Sequence, residues 1–473
     1  MTRVLVVTAD VLRPQVAGPA MRALHICQRL ADDHHDVRLI TTSPYCEVHP
    51  HDFTALAGGP DELAEAEAWC DVMVLQGYVT HHHAVLGTSR KIIVFDIYDP
   101  LHLETLALTK GHSGPARDGH IRISIDNLNH QLVRGDFLIC ASERQRDLFI
   151  GQLCALGRAN ALTYDADPTL RQLIDVVPFG LPEQRPEHRR AVLRDVVPGI
   201  GRGDDVIVWA GGIYDWFDPL TLIRAVAGLS RTRPSVRLYF MGLRHPNPDV
   251  PPMQMAIDAQ ALADELGLAG KHVFFNQGWA EYSDRQNFLL EANLGVTVHF
   301  DSAETRFSFR TRALDYLWAG LPIVSTEGDS FAELIEREGL GLTVPAEDPE
   351  ALEEALGRLL EDWAFAERCR ANVARVRDRF RWSLVLEPLA AFCREPRPAP
   401  DLGGAHTPAT TSGEVSPSIP APASPDETTN AAAEAPTTAR SLSGLVRFHY
   451  SQGGVKQVVR SAANKAARLT RGK

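Results

Sequence analysis

No apolar run in this 473-residue sequence approaches the roughly 20 residues that a membrane-spanning helix needs. The N-terminal Met1-Thr2-Arg3 leads straight into a strand-like Val4-Leu5-Val6-Val7, without the pattern of a signal peptide. The expected location is therefore the cytoplasm. Cysteine is scarce, with seven residues (Cys27, Cys46, Cys70, Cys140, Cys154, Cys369 and Cys393) and no Cys-x-x-Cys pair. An odd, scattered set argues against both a disulfide framework and a zinc site. After the first strand there is no Gly-x-Gly-x-x-Gly, which disfavours a nicotinamide or flavin dinucleotide. Positive charge is short over most of the chain. The net charge of −12 divides into a body with 40 basic against 60 acidic side chains, and a tail, Arg440 to Lys473, with eight basic and no acidic residues. So acidic a body excludes nonspecific nucleic-acid binding as its business.

What is present is an alternation of short β-branched runs with helix-length segments. Val4–Val7, Val37–Ile40, Val72–Leu75, Ile92–Phe95, Phe137–Ile139 and Asp175–Val177 form one series. Val206–Trp209, Val236–Phe240, His272–Phe275, Gly295–Val298, Pro322–Ser325 and Gly341–Val344 form a second. This is the signature of parallel sheets covered by helices. The expected architecture is α/β: two Rossmann-like, doubly wound domains facing a cleft, residues 1–183 and 206–375. Residues 184–205 join them as a Pro- and charge-rich linker, and 376–394 close the body as a helical segment. Residues 395–439, rich in Pro, Ala, Ser and Thr, read as a disordered linker. Residues 440–473 follow as a basic amphipathic helix, for which reversible membrane contact, partner docking and a solubilising role all stay open.

Several loops carry polar groups where such sheets bind ligands, at the carboxyl ends of strands. Gly18-Pro19 opens a helix after the first strand, so its backbone N–H groups favour an anion. Asp96-Ile-Tyr-Asp99-Pro-Leu-His102-Leu-Glu104 gathers groups able to contact a hydroxyl or act as a base, Asp99 being equally suited to a turn. Gly211-Gly212 ends the first strand of the second series and permits close backbone approach. Trp279 offers a stacking face, though core packing is the commoner fate of one Trp. Ser330-Phe-Ala-Glu333 has the form of a capping box, and Glu327 and Asp329 precede it on the expected ligand side. The His81-His82-His83 run has no carboxylate or Cys at ligand spacing.

The densest segment is Phe307-Ser-Phe-Arg310-Thr-Arg312-Ala-Leu-Asp315-Tyr-Leu-Trp-Ala-Gly320-Leu-Pro-Ile-Val-Ser-Thr326. Its helix start and two arginines suit a nucleotide diphosphate, and an Arg312/Asp315 surface pair is the plainer alternative. With Val177-Pro-Phe-Gly180 and the Gly211-Gly212 pair, this segment resembles the family-four GT-B glycosyltransferases over roughly residues 3 to 393.

The resemblance implies transfer of a sugar from a nucleotide diphosphate donor to an acceptor hydroxyl. It implies retention of configuration, no metal and no cofactor beyond the donor co-substrate. The second domain is then the donor domain and the first the acceptor domain. Donor contacts fall to Gly18, Gly212, Trp279, Arg310, Arg312 and Asp315, catalytic roles to Asp99, Glu304 and Arg312. The family's usual first glutamate, eight residues before Asp315, is Phe307 here. Its usual Arg and Lys after the glycine of the first donor-domain strand are Gly212 and Phe217. Arg310 and Arg312 are the expected substitutes for those missing cations. A glycan or lipid-linked acceptor, and peripheral contact with the inner membrane face through the tail, complete the expectations. A nucleotide-sugar epimerase of the same shape and a noncatalytic sugar-nucleotide or glycan-binding module are the alternatives.

Overall fold

The computed structural model describes residues 1–402, apart from 249 and 251. The stretch 403–439 and the basic tail 440–473 lie outside the described residues. Seven parallel strands form the first sheet in the order β3-β2-β1-β4-β5-β6-β7. They are β1 (Arg3–Thr8), β2 (Asp36–Thr41), β3 (Thr54–Ala57), β4 (Val72–Gln76), β5 (Ile92–Asp96), β6 (Phe137–Cys140) and β7 (Ile174–Val176). The second sheet, also parallel, runs β10-β9-β8-β11-β12-β13. Its strands are β8 (Asp205–Trp209), β9 (Val236–Phe240), β10 (Val273–Phe275), β11 (Leu294–Thr297), β12 (Ile323–Thr326) and β13 (Gly341–Val344). Both orders reverse beside their first strand, between β1 and β4 and between β8 and β11. Crevices open there at the strands' carboxyl ends.

Helices on both faces explain why the central strands read as unbroken apolar runs: Val4 to Val7 and Val206 to Trp209 are fully buried. The strand missed by sequence patterning is β3, whose Thr-Ala-Leu-Ala lacks β-branched alternation. It is an edge strand held only by β2.

Residues 184–205 are strapped to the second domain. The Glu291 carboxylate accepts from the backbone N–H groups of Val192, Leu193 and Arg194 at 2.8 to 2.9 Å. Trp318 Nε1 donates to the carbonyl of Gln184 at 2.8 Å. The chain then crosses back. The Trp382–Val385 and Glu387–Arg394 helices lie on the first domain, with Phe392 stacked on Phe137 (4.7 Å between centroids) and Thr2 Oγ1 donating to Cys393 O at 2.8 Å. Residues 395–402, expected to begin the disordered linker, stay packed there as well. Asp401 pairs with Arg158 at 2.7 Å, and the buried Ala399 donates its N–H to Asp136 at 3.1 Å. Arg158 needs that carboxylate, because its remaining N–H groups reach only the carbonyls of Leu132, Val133 and Gly135.

The outgoing and returning passes touch. Leu181 N donates to Phe380 O at 2.6 Å and Trp382 N to Leu181 O at 3.0 Å, a parallel bridge. None of the described helices is long and apolar enough to cross a membrane.

Candidate active site in the interdomain cleft

A cleft with a cavity volume of about 240 Å³ lies between the two sets of strand ends. Both domains contribute to it, and they touch at both of its sides. On one side Tyr282 N donates to Pro14 O at 3.1 Å, and His25 Nε2 lies 3.2 Å from the Tyr282 hydroxyl. On the other, Gln145 Nε2 donates to Phe307 O at 2.8 Å.

The first-domain wall starts with Gly18, the first residue of the Gly18–Asp32 helix, with Pro19 in its first turn. One turn on, Arg22 is fully buried and grips Asp96 at the end of β5 through two bonds of 2.7 and 2.8 Å. Its remaining donors reach the carbonyls of Val177 (2.8 Å) and Pro178 (3.0 Å). This buried fork sets Phe179 and Gly180 against the cleft. Asp10, Asp99 and Glu104 also line the wall. Burial, then the neighbouring Asp96, pushes the Asp99 carboxyl up to about 7. Glu104 is held well above the ordinary range by burial and then by Asp99 and Glu304. Asp10, in the loop after β1, is pushed up to about 6 by burial.

The second-domain wall is built on the turn after β8. Gly211 has φ +77°, a left-handed conformation that favours glycine. At Gly212 a Cβ would stand 2.9 Å from the Trp279 ring, so only glycine lets that indole lie over the loop. Trp279 thus both packs on the glycine turn and lines the cleft.

The Thr311–Ala319 helix begins at the cleft and ends at Gly320, whose φ of +74° is the expected left-handed cap. Its Arg312 is buried between the rings of Trp209 (4.0 Å) and Phe217 (4.2 Å). Arg312 Nε donates to Ala210 O, and Nη2 to Gly212 O at 2.7 Å. The guanidinium therefore clamps the glycine turn, and no exposed pair with Asp315 forms. No carboxylate of the described residues lies within ion-pair distance of it. Burial lowers it to about 10, which leaves it cationic at neutral pH.

Arg310 and Glu304 correct the expectations made for them. Arg310 Nη1 and Nη2 donate to the two Glu304 oxygens at 3.0 and 2.8 Å, with both residues buried. The two charges neutralise each other, and Glu304 is held by Arg310 and Ser308 and is not a group free to reach a donor. Asp329 is buried against His299 at 3.3 Å. Its Oδ1, and not Ser330, caps the following helix at Ala332 N (2.7 Å), and Glu333 pairs outward with Arg144. The expected capping box and the ligand-facing Asp329 are therefore both absent.

Asp315 keeps part of its side chain exposed at the cleft, with Oδ1 accepting from Arg285 Nε at 3.0 Å. Arg285 escaped sequence reading. It lies over Tyr282 (3.6 Å) and Trp318 (4.3 Å), 30 residues before its acidic partner, and no local spacing announces such a contact. The His81-His82-His83 run lies away from the cleft, and no group of three or more metal-ligating side chains occurs among the described residues.

Comparison with known proteins fits this layout. Residues 204–362 match the family described as Glycosyl transferases group 1. A D-inositol 3-phosphate glycosyltransferase of Acidothermus cellulolyticus is 26% identical over 261 residues, 52% of this chain. The match spans about half (55%) of that relative's length. Among solved structures, sucrose-phosphate synthase from Thermosynechococcus elongatus superposes with a TM-score of 0.59 at 16% identity, covering 83% of this chain and 98% of that one. HepE of Anabaena, solved with UDP-glucose, gives 0.59 at 15% identity, covering 83% of this chain and all of that one. Residues 204–362 are thus similar to the glycosyl transferases group 1, and the described residues share the two-sheet GT-B fold of these solved structures.

Proposed function

We propose that the protein moves a sugar from a nucleoside diphosphate donor to an acceptor hydroxyl, with retention of anomeric configuration and without a metal. The observation that carries this reading is Arg312: a cation with no carboxylate partner among the described residues, fixed beside the glycine turn and the start of the Thr311–Ala319 helix. Its hydrogen bonds go to neutral carbonyls, so its charge stays available to a departing diphosphate, while the helix's unpaired N–H groups supply donors. Arg310 contributes geometry more than charge, because Glu304 already balances it. Asp315, oriented by Arg285, is set to accept from a ribose diol, and Trp279 flanks the base. Gly18 closes on the diphosphate from the other domain.

The acceptor then lies along the first-domain wall near Asp99. In retaining transfer its hydroxyl attacks from the leaving-group side and gives its proton to the departing phosphate oxygen. Asp99, pushed up to about 7, orients that hydroxyl by hydrogen bonding. The work of this enzyme is glycan assembly at the cytoplasmic face, on a glycan or lipid-linked acceptor.

The test is a thermal-shift screen of nucleotide sugars, followed by assay of nucleoside diphosphate release with and without acceptors. Product NMR reads the anomeric configuration, and turnover is expected to survive EDTA. Conversion of the donor without an acceptor into an epimeric sugar nucleotide would point instead to an epimerase. Donor binding with no turnover across the panel would point to a binding module.

A further inference from the structure

Beyond the Gly18 helix start, which is assigned to the donor diphosphate, the first-domain wall of the cleft presents three carboxyls, Asp10, Asp99 and Glu104, and no cation among the described residues. Arg22, the arginine behind it, is fully buried and spent on Asp96 and two carbonyls. Arg310, facing this wall from the second domain, is balanced by Glu304. Asp10 adds an independent sign that something binds. It is 4% exposed, its Oδ1 accepts from Val11 N at 2.8 Å, the Ala20 backbone N–H also faces the carboxyl, and its Oδ2 is buried without a hydrogen bond of normal geometry. A buried acceptor oxygen left unpaired is costly, and an O–H or N–H donor arriving in the cleft removes that cost. An arriving phosphate or carboxylate would bring a second acceptor to the same place and would find no first-domain cation in the lining to balance its charge.

We infer, resting on the glycosyl-transfer reading above, that this wall is an acceptor subsite for a polyol bearing hydroxyl or amino substituents, and that it rejects acceptors carrying phosphate or carboxylate there. The chemistry is that of a donor-rich, uncharged or cationic ring. Its hydroxyls or ammonium group satisfy Asp10 Oδ2, Asp99 and Glu104. Burial holds all three carboxyls above their ordinary range, a cost to the ionised form that hydrogen-bond donors or a cation on a bound ring reduce.

The experiment uses the full chain with its best nucleotide-sugar donor and a matched acceptor series: glucosamine, glucose, glucose 6-phosphate, glucuronate, myo-inositol and D-inositol 3-phosphate. Transfer is read as product mass and nucleoside diphosphate release. The expected order is amine-bearing at least equal to neutral, with anionic members about tenfold or more below their neutral counterparts. Asp10→Asn and Glu104→Gln are each expected to narrow that gap severalfold, with donor-induced thermal shift retained as proof of folding. An anionic member converted as well as its neutral counterpart overturns the inference. So does a donor-responsive protein that converts no neutral or amine-bearing member. Absence of any response to every nucleotide sugar instead fells the glycosyl-transfer reading itself.

Discussion

A guanidinium that, among the described residues, touches only aromatic rings, a hydroxyl and carbonyl oxygens, as Arg312 does, has lost its water without gaining a counter-ion there. Lysine keeps the charge but cannot span the carbonyls of Ala210 and Gly212. Arg312→Lys is therefore expected to lower kcat/KM by about 10²-fold and to reduce Tm, because the fork joining the Ala210 and Gly212 carbonyls is lost, Gly212 O keeping only Trp209 Nε1. Unchanged steady-state kinetics would remove Arg312 from the site. Glu304 gives the opposite expectation. Glu304→Gln leaves Arg310 only its longer ion pair with Asp329 (3.8 Å) and should cost about 3 kcal/mol in a denaturant titration. Normal stability with activity alone lost would return Glu304 to a catalytic role. The sequence made Arg310, Arg312 and Asp315 legible as a charged cluster at a helix start. It did not reveal their partners, because Ala210, Gly212 and Arg285 meet them only after β8, β11 and the Thr311–Ala319 helix have assembled.

The strands and the Thr311–Ala319 helix with its Gly320 stop were legible because one face or both are apolar at the right period. Less so were elements whose form depends on neighbours: β3, an edge strand of alanine-rich composition, and the Asp329 cap, which competes with a plausible Ser330 one residue later. Glycines at element ends were readable as turns, but their packing was not. Gly180 shows this, since a Cβ there would lie 2.5 Å from the Trp382 ring. Gly180→Ala is expected to displace the indole from its stack on His25 (4.6 Å between centroids) and to cost about 1–3 kcal/mol, read by chemical denaturation. A variant as stable as the parent would mean that the seam between the Val177–Leu181 loop and the closing helices is looser than its packing implies. Gly212→Ala should instead disturb Trp279 and weaken nucleotide binding, with a rise in donor Kd measured by calorimetry.

Across the whole molecule the buried ionisable groups give acid and base limbs of opposite sign. His25 is held down to about 3 by burial and then by Arg285, and His245 to about 4 by burial. Below about pH 6.5 the unfolded chain binds protons that these folded histidines refuse, so stability falls as pH drops. Asp10 and Asp99 act in reverse. Their folded values of about 6 and 7 lie above the unfolded one, so their contribution is full below about pH 4 and is lost as pH rises through 6 and 7. Asp10→Asn and Asp99→Asn should therefore gain stability over the parent at pH 8 and lose that advantage at pH 5, by thermal melts. Profiles parallel to the parent's would show that neither carboxyl is raised. The bridge between Leu181 and Arg381 has a mechanical meaning at this scale. Two separate tethers would let the halves slide and twist, whereas two passes laced side by side make a narrow ribbon, compliant to bending across its flat face and stiff to shear. Bending of that ribbon about one axis is therefore the expected mode by which the halves would open and close the cleft.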